Sequence, residues 1–175
     1  MARGNVCRWI MGVLALGAVV GFGDAAETII KATAPISGEG RFYRATDQHL
    51  LFAGYFQGKV TVEQGGDLHG ADLVCPSLME VNRTAGTLQG EGRCIITKGN
   101  DFLYARWTCT GKEGEGCGGP FTITGGTGKF SKTTGEGRFG IVSNVMEVIT
   151  TVPERDVTGT FTGQAAWTTL KYMTP

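Results

Sequence analysis

The sequence has little of the material from which metal sites and hydrolase centres are built. Histidine occurs twice among 175 residues, as His49 and His69, and both stand beside turn residues. A metal site built on them would need Asp47, Asp67 or Asp72, at spacings that fit no metal-binding motif. Serine is scarce and the G-x-S-x-G motif of serine hydrolases is missing. The sequence therefore indicates neither a metal site nor another cofactor.

An excess of charge of either sign is missing too. The formal net charge is 0, and residues 26–175 carry 14 Lys and Arg against 15 Asp and Glu. No basic patch offers the positive surface that nucleic-acid binding needs. No basic amphipathic stretch of the kind that lies on membrane surfaces is found either. We expect neither nucleic acid nor a membrane to be a partner of this part of the chain.

The apolar run near the start is too short to span a bilayer. Residues 9–20 form a run of 12, whereas a transmembrane helix needs about 18 to 20. Arg3 and Arg8 precede the run, and Gly23-Asp24-Ala25 follows it with small residues where signal peptidase cleaves. This arrangement predicts a signal peptide over residues 1–25. The remaining protein is then expected in the periplasm or outside the cell.

Residues 26–175, or 27–175 if cleavage follows Ala26, are long enough for a single domain with its own core. Residues 26–175 contain four cysteines. An even number of cysteines in an exported chain predicts disulfides, and four cysteines can form two disulfides in three ways. Spacings of 19, 15 and 8 residues do not fit the close pairs of a four-cysteine zinc site. We favour two pairs that would each brace one hairpin, Cys75–Cys94 and Cys109–Cys117.

Glycine is abundant and no segment has a helical period. It makes up 24 of residues 26–175, about twice the usual share of roughly 7%, which indicates tight turns and bent strands. Short β-prone segments occupy most of the chain between these glycines. Pro35 is expected to end the first strand, and Pro76 to turn the fourth into a bulge or an edge. The predicted strands are 28–34, 39–46, 51–63, 70–83, 87–98, 102–110, 121–124, one that starts near Gly135, and 156–168.

Strands spaced this closely predict an all-β, antiparallel fold of about eight strands. A closed barrel is favoured because it leaves no exposed edge, and an ordinary lipocalin-like barrel is the alternative. Residues 102–109 alternate with a period of two, so Leu103, Ala105, Trp107 and Cys109 share one face. In residues 156–168 the same alternation groups Gly159, Phe161, Gly163, Ala165 and Trp167.

One tetrapeptide, Gly-Glu-Gly-Arg, occurs three times. In a strand its two glycines share one face and its Glu and Arg share the other. In one interpretation the charged face meets water on a bent strand. In the other, the three arginines turn inward to line a lumen suited to an anionic ligand, with the glutamates as partners. The copies are Gly38-Glu39-Gly40-Arg41, Gly90-Glu91-Gly92-Arg93 and Gly135-Glu136-Gly137-Arg138.

A glycine-rich stretch resembles a known family. Thr124-Gly125-Gly126-Thr127-Gly128-Lys129-Phe130, followed by Thr134-Gly135-Glu136-Gly137, resembles the GGTGKFxxxxGxG signature of the allene oxide cyclase and dirigent-type β-barrel superfamily. It is most similar to exported bacterial members. The resemblance implies the barrel fold, and barrels of this group often form homo-oligomers. Their activities include closing a cyclopentenone ring, guiding phenoxy-radical coupling and forming rings in polyketide pathways. No catalytic residue of these proteins aligns with this chain, so the resemblance assigns none.

Aromatic side chains on the strands are the candidates for contact with a ligand. Small barrels either fill with side chains or hold one small ligand, so these rings form a core or line a pocket. Arg106 stands between Tyr104 and Thr108, and an inward Arg106 would need a carboxylate or an anionic ligand. The predicted ligand-binding set is Arg106, Tyr104, Trp107, Tyr55 and Trp167.

Two functions remain open on the sequence alone. The favoured one is a non-catalytic, exported barrel that binds a small, partly apolar or anionic ligand, or a protein partner. The alternative is a cyclase or isomerase that works by positioning a reactive substrate in an apolar cavity, which needs few acid–base groups.

Overall fold

The computed structural model describes residues 26–149 and 156–174. The predicted signal peptide, residues 1–25, lies outside them. Within the described ranges, no helix is long and apolar enough to cross a membrane. The strands are β1 (Ala26–Arg44), β2 (His49–Lys59), β3 (Thr61–Val62), β4 (Asp72–Asn82), β5 (Thr87–Lys98), β6 (Asp101–Lys112), β7 (Gly116–Gly126), β8 (Thr134–Ile149) and β9 (Asp156–Thr174).

Eight of these strands form a closed antiparallel barrel, and the two-residue β3 adds to β1. The order around the barrel is β1-β2-β4-β5-β6-β7-β8-β9, and β9 pairs back with β1. Phe42 of β1 therefore has Phe52 of β2 on one side and Val157 of β9 on the other. Because the barrel is closed, each of the eight strands has a hydrogen-bonded neighbour on both sides. The predicted all-β closed barrel is confirmed.

Neither proline acts as expected. β1 continues through Pro35, so the prediction that this residue ends the first strand is wrong. On one edge, β1 pairs with β3 at Ala32 and Thr33 and with β2 only from Ile36 onward. Pro35 lies in the gap between these two partners, where its missing N–H interrupts no ladder on that edge.

Pro76 makes neither a bulge nor an edge. β4 lies between β2 and β5, and its register with β5 is the same on both sides of Pro76, from Val74 opposite Ile95 to Ser77 opposite Gly92. This register places Pro76 opposite Arg93. Because proline has no N–H to donate, the ladder is interrupted there without a shift. The sequence could not show this, since register depends on the partner strand.

Both disulfides have the predicted pairing. Cys75 of β4 is bonded to Cys94 of β5 at the interruption beside Pro76. Cys109 is bonded to Cys117 and closes the tip of the β6–β7 hairpin. All four side chains are buried inside the barrel. Each bond therefore joins adjacent strands and reduces the conformational freedom of the unfolded chain.

The inner face of the barrel is apolar and follows the predicted alternation. In β6, Leu103, Ala105, Trp107 and Cys109 are buried, while Tyr104 and Arg106 are exposed. In β9 the alternation holds to Trp167, and a register irregularity opposite Arg138 and Phe139 then brings Leu170 and Tyr172 inward. The predicted face of β9 is confirmed from Gly159 to Trp167.

Large side chains lie over the glycines of the repeated tetrapeptide. A Cβ placed on Gly92 would stand 2.7 Å from the indole of Trp107, and Trp107 is the cross-strand partner of Gly92. Each pair consists of an inward glycine and the large residue directly opposite it. These glycines therefore provide space for neighbouring side chains. The four pairs are Gly38 with Phe161, Gly92 with Trp107, Gly135 with Tyr172, and Gly137 with Leu170.

The charged residues of the tetrapeptide point away from the lumen. The three glutamates and three arginines are all exposed. The interpretation in which charged faces meet water is confirmed, and the one in which Arg41, Arg93 and Arg138 line the lumen is wrong. The inner face has no room for them, because the inward glycines are covered by their cross-strand partners.

The signature stretch forms the connection between β7 and β8. A single 3₁₀ turn, Gly128–Phe130, follows Thr127. The Thr127 N–H donates to the Phe102 carbonyl at 2.7 Å, and the Thr127 hydroxyl accepts from the Phe102 N–H at 2.9 Å. Gly128 has φ +52°, and the Asp101 carboxylate occupies the space of a Cβ there. Glycine is therefore required at this position for both reasons.

This connection closes one end of the barrel. Phe130 is completely buried, and Leu68 from the 63–71 loop is buried at the same end. The Lys129 ammonium lies 2.8 Å from the Asp67 carboxylate, which ties the two segments together. The residues that resemble a family signature thus have a structural role in this chain.

We expect Gly92→Ala to destabilise the protein by about 1–3 kcal/mol, because its Cβ would overlap the Trp107 indole and the Pro76 carbonyl oxygen. Gly140→Ala is the control, since its Cβ would meet only the Cys117 carbonyl oxygen, at 3.7 Å. Urea unfolding followed by circular dichroism measures both. Equal midpoints for the two variants would contradict the packing described here.

Phe130→Ala should cost about 3–5 kcal/mol, because it removes a fully buried ring from the closed end. Ser131→Ala changes the next, exposed residue and should stay within about 0.5 kcal/mol of the wild type. The same urea measurement applies. A small effect of Phe130→Ala would mean that the end is not closed by this ring.

Tyr172 at the closed end should make stability depend on alkaline pH. Burial raises the pKa of Tyr172, the charge of Asp67 raises it further, and a hydrogen bond with Thr28 lowers it in part. Above about pH 10 the unfolded chain loses this proton while the folded protein keeps it, so stability should fall as the pH rises. Urea midpoints from pH 8 to 11 should fall less steeply for Tyr172→Phe. Parallel curves would contradict the assignment.

Candidate functional site

The barrel wall separates the five predicted ligand-binding residues. Trp107 and Trp167 point into the lumen and are buried. Tyr104, Arg106 and Tyr55 are on the outer face, because they alternate with inward neighbours along β6 and β2. Arg106 does not point inward, so the condition under which it would be a buried cation is not met. Tyr55 and Tyr104 belong neither to the core nor to a pocket in the lumen, in contrast to the expectation for these rings. No single pocket contains all five.

The two tryptophans belong to a packed layer of rings across the lumen. The ring centroids of Trp107 and Phe139 are 5.3 Å apart, and those of Phe121 and Trp167 are 5.5 Å apart. Phe56 lies 6.0 Å from Trp107 and 4.7 Å from Phe161. Such edge-to-face packing fills the space that a ligand would need. The middle of the barrel is therefore core.

A pocket remains at the end of the lumen opposite the closed end. Its volume is about 270 Å³. Apolar side chains from six strands form most of its wall, and the Cys109–Cys117 bond contributes Cys117. We call it the mouth pocket. Its apolar walls include Phe42, Leu50, Phe52, Phe56, Met79, Val81, Leu88, Ile141 and Phe161.

The rim of the mouth pocket carries one ion pair. The Arg83 Nε lies 3.8 Å from the Glu113 carboxylate, and both side chains are about half exposed. The backbone holds these loops together, since the Arg83 N–H donates to Gln48 and the Glu113 N–H donates to Gly86. An exposed pair of this kind adds little stability. It does place one cation and one anion at the edge of an apolar pocket.

A second cavity lies on the outside of the barrel, across β2, β4, β5, β6 and β7. Its volume is about 830 Å³, and it shares no lining residue with the mouth pocket. We call it the outer groove. It crosses the interruption in the β4–β5 ladder beside Pro76, and both Arg106 and Trp107 line it. Two of the five predicted residues therefore meet there.

Tyr55 lies in a smaller groove over β1, β2 and β9. Its hydroxyl donates a hydrogen bond of 2.6 Å to Glu39, its cross-strand partner. This hydrogen bond, with smaller effects of burial and of the Glu39 charge, raises the pKa of Tyr55 above its usual value near 10. The tyrosine therefore stays neutral at physiological pH and acts as a donor to Glu39.

The imidazoles stand apart from all three cavities. His49 lies 3.0 Å from Glu80, and His69 contacts the backbone of Val62 at 3.2 Å. In the described part of the chain, no group of three or more His, Cys, Asp or Glu side chains could hold a metal ion. Among the described residues that line the mouth pocket, the ionisable side chains are Arg83 and Glu113, while the smaller groove holds the hydrogen-bonded Tyr55 and Glu39.

Sequence reasoning missed most of the residues that shape the cavities. The aliphatic members of the mouth pocket have no distinguishing motif, and Arg83 and Glu113 stand in turns. One signal was available: a β5–β6 hairpin turning at Gly99-Asn100 places Arg93 opposite Arg106. The predicted strands, 87–98 and 102–110, leave three residues between them and would place Arg93 opposite Trp107, so this register was missed. The observed two-residue turn identifies the basic pair of the outer groove.

No protein-family model matches this chain, and no curated protein matches its sequence. A search of solved structures finds the pterocarpan synthase dirigent protein, at 10% identity and a TM-score of 0.39, over 83% of this chain and 88% of that one. Dirigent proteins are one of the groups that the glycine-rich signature resembles. A likeness this low says nothing about function, which must be inferred from the side chains of this barrel.

Proposed function

We propose that this protein is an exported, non-catalytic binding barrel that holds a small apolar molecule in the mouth pocket. The observation that carries the proposal is the apolar lining of that pocket, on which Phe42, Phe52, Phe56 and Phe161 converge. Removing a ligand's apolar surface from water into such a lining is favourable. The packed layer beneath gives the pocket a fixed floor.

The volume of the mouth pocket and the net charge of its rim limit which ligands it can hold. The volume of about 270 Å³ lies just under the roughly 300–1,000 Å³ of common ligand sites, so the ligand is small. The rim pair has no net charge, because Arg83 and Glu113 neutralise each other. An uncharged molecule with one polar group suits this arrangement. Its apolar body would contact the rings, and its polar group would reach the rim.

Export is supported by the disulfides together with the predicted signal peptide. Disulfides persist in oxidising compartments such as the periplasm and the exterior, and are rare where glutathione keeps thiols reduced. The four cysteines from Cys75 to Cys117 all form such bonds. The site of action that fits best is therefore the periplasm or the surroundings of the cell.

Binding without turnover is favoured over a cyclase or isomerase activity. Among the described residues that line the mouth pocket, only Arg83 and Glu113 can ionise, and they are paired. A general acid or base needs a pKa near the working pH and access to the reacting atom. Arg83 and Glu113 lie at the rim and are engaged with each other, so the pocket is suited to holding a molecule.

The mouth pocket should bind the uncharged dye N-phenyl-1-naphthylamine, with a rise in dye fluorescence. Leu88→Trp adds bulk within the pocket and should weaken binding about tenfold or more. Val142→Trp adds the same ring on the exposed face of β8 and should leave binding unchanged. Equal affinities for the two variants would show that the dye binds elsewhere and would remove the proposal.

Native mass spectrometry of protein from its own exported fraction then addresses the natural ligand. A bound small molecule that Leu88→Trp loses would support the proposal. Incubating that molecule with the protein separates binding from catalysis, because conversion to a product would establish the cyclase or isomerase alternative.

A further inference from the structure

We propose that the outer groove is a second binding site, for an organic anion with an apolar body, and that Arg93 and Arg106 hold its carboxylate. This site is separate from the mouth pocket, with which it shares no lining residue. At about 830 Å³ it falls within the usual range of ligand sites.

The two arginines are directly opposite each other on adjacent strands. Arg93 of β5 and Arg106 of β6 are register partners, and both are exposed. Residues in such positions have Cβ atoms about 4.5–5.5 Å apart, and like charges placed there destabilise a sheet. The repulsion between the two guanidinium groups destabilises the barrel when the groove is empty. An anion bound between them would replace this repulsion with two attractive contacts.

Neither arginine has a carboxylate partner among the described residues. Glu91 also lines the groove but forms no ion pair with either guanidinium within the described ranges. Several other cations on this barrel are paired, as Lys129 is with Asp67 at 2.8 Å and Arg83 with Glu113 at 3.8 Å. The basic pair in the groove is thus available to an external anion.

The shape of the guanidinium groups favours a carboxylate. Arginine presents a planar fork of N–H donors that matches a carboxylate through two parallel hydrogen bonds. Thr122 is the cross-strand partner of Arg106 on β7 and adds a hydroxyl beside the pair. Two forks and a hydroxyl provide more donors than a single carboxylate requires, so some can hold a second polar group.

The walls of the groove are largely apolar and favour an organic ligand. Pro76 lies opposite Arg93, and Pro120 lies two residues before Thr122, so a proline ring stands on each side of the basic pair. Leu78 and Ala53 extend the apolar surface on the side of Pro76. An inorganic anion would leave these walls in contact with water. A carboxylate on an aromatic or aliphatic body would cover them.

The test compares 2-naphthoate with its uncharged isostere 2-naphthamide and with inorganic phosphate. Isothermal titration calorimetry at low salt measures affinity, and the Nε–H signals of Arg93 and Arg106 report the position by NMR. We expect naphthoate to bind at least tenfold more tightly than the amide and to shift both signals. Weaker binding in high salt should follow, since the contact is ionic.

Arg93→Gln and Arg106→Gln should each weaken naphthoate binding about tenfold or more. Arg138→Gln is the matched control, because Arg138 ends another Gly-Glu-Gly-Arg copy, is exposed, and does not line the groove. It should change the affinity less than twofold. Unchanged binding in the first two variants, or equal binding of acid and amide, would overturn the proposal.

Phosphate that binds as tightly as naphthoate would overturn the assignment of an organic ligand.

The stability of the protein without ligand provides a second test. Removing one of two opposed like charges should raise the urea midpoint of the empty protein in Arg93→Gln, while Arg138→Gln should not raise it. A lower midpoint in Arg93→Gln would show that the arginine already has a stabilising partner and would contradict the proposal. Loss of naphthoate binding leaves dye binding in the mouth pocket unaffected, so the two proposals fail separately.

Discussion

The barrel depends on large side chains that occupy the space left by glycine. At Gly92 the indole of Trp107 lies where a side chain would be, and Phe161 lies over Gly38 in the same way. Each large residue is the cross-strand partner of its glycine, so packing and register support each other. A register slip would place a ring against a side chain instead of a glycine. The repeated tetrapeptide thus encodes both the packing of the lumen and the alignment of its strands.

This packing divides the barrel into regions with different roles. The ring layer fills the middle, and the signature connection with Phe130 closes one end. The apolar mouth pocket remains at the other end. The charged side chains lie on its rim or on the outer face of the barrel. Because the glycines point inward, the charged members of the tetrapeptide are forced outward, where Arg93 meets Arg106. The interior packing therefore determines where the surface charges stand.

Much of the fold follows from local patterns in the sequence, and the errors have physical causes. Period-two alternation predicted the faces of β6 and β9, and the two hairpins that a disulfide could brace predicted both cysteine pairs. The effects of Pro35 and Pro76 were misjudged, because the role of a proline depends on the neighbour its missing N–H would face. The direction of Tyr55 depends on which side of β2 is inward, and that is settled by Phe52 and Phe56 together. Cavities need three-dimensional packing, so most of their lining residues were not foreseen.

The pairing of β1 with both β2 and β9 governs when the barrel can form. Ala26 pairs with Thr174, and Tyr43 pairs with Asp156, so the first strand needs the last one along nearly its whole length. A chain made from its N-terminus cannot complete this pairing until β9 has been synthesised. Contacts this distant in sequence also slow folding. The growing chain therefore stays open for longer than one built from local contacts.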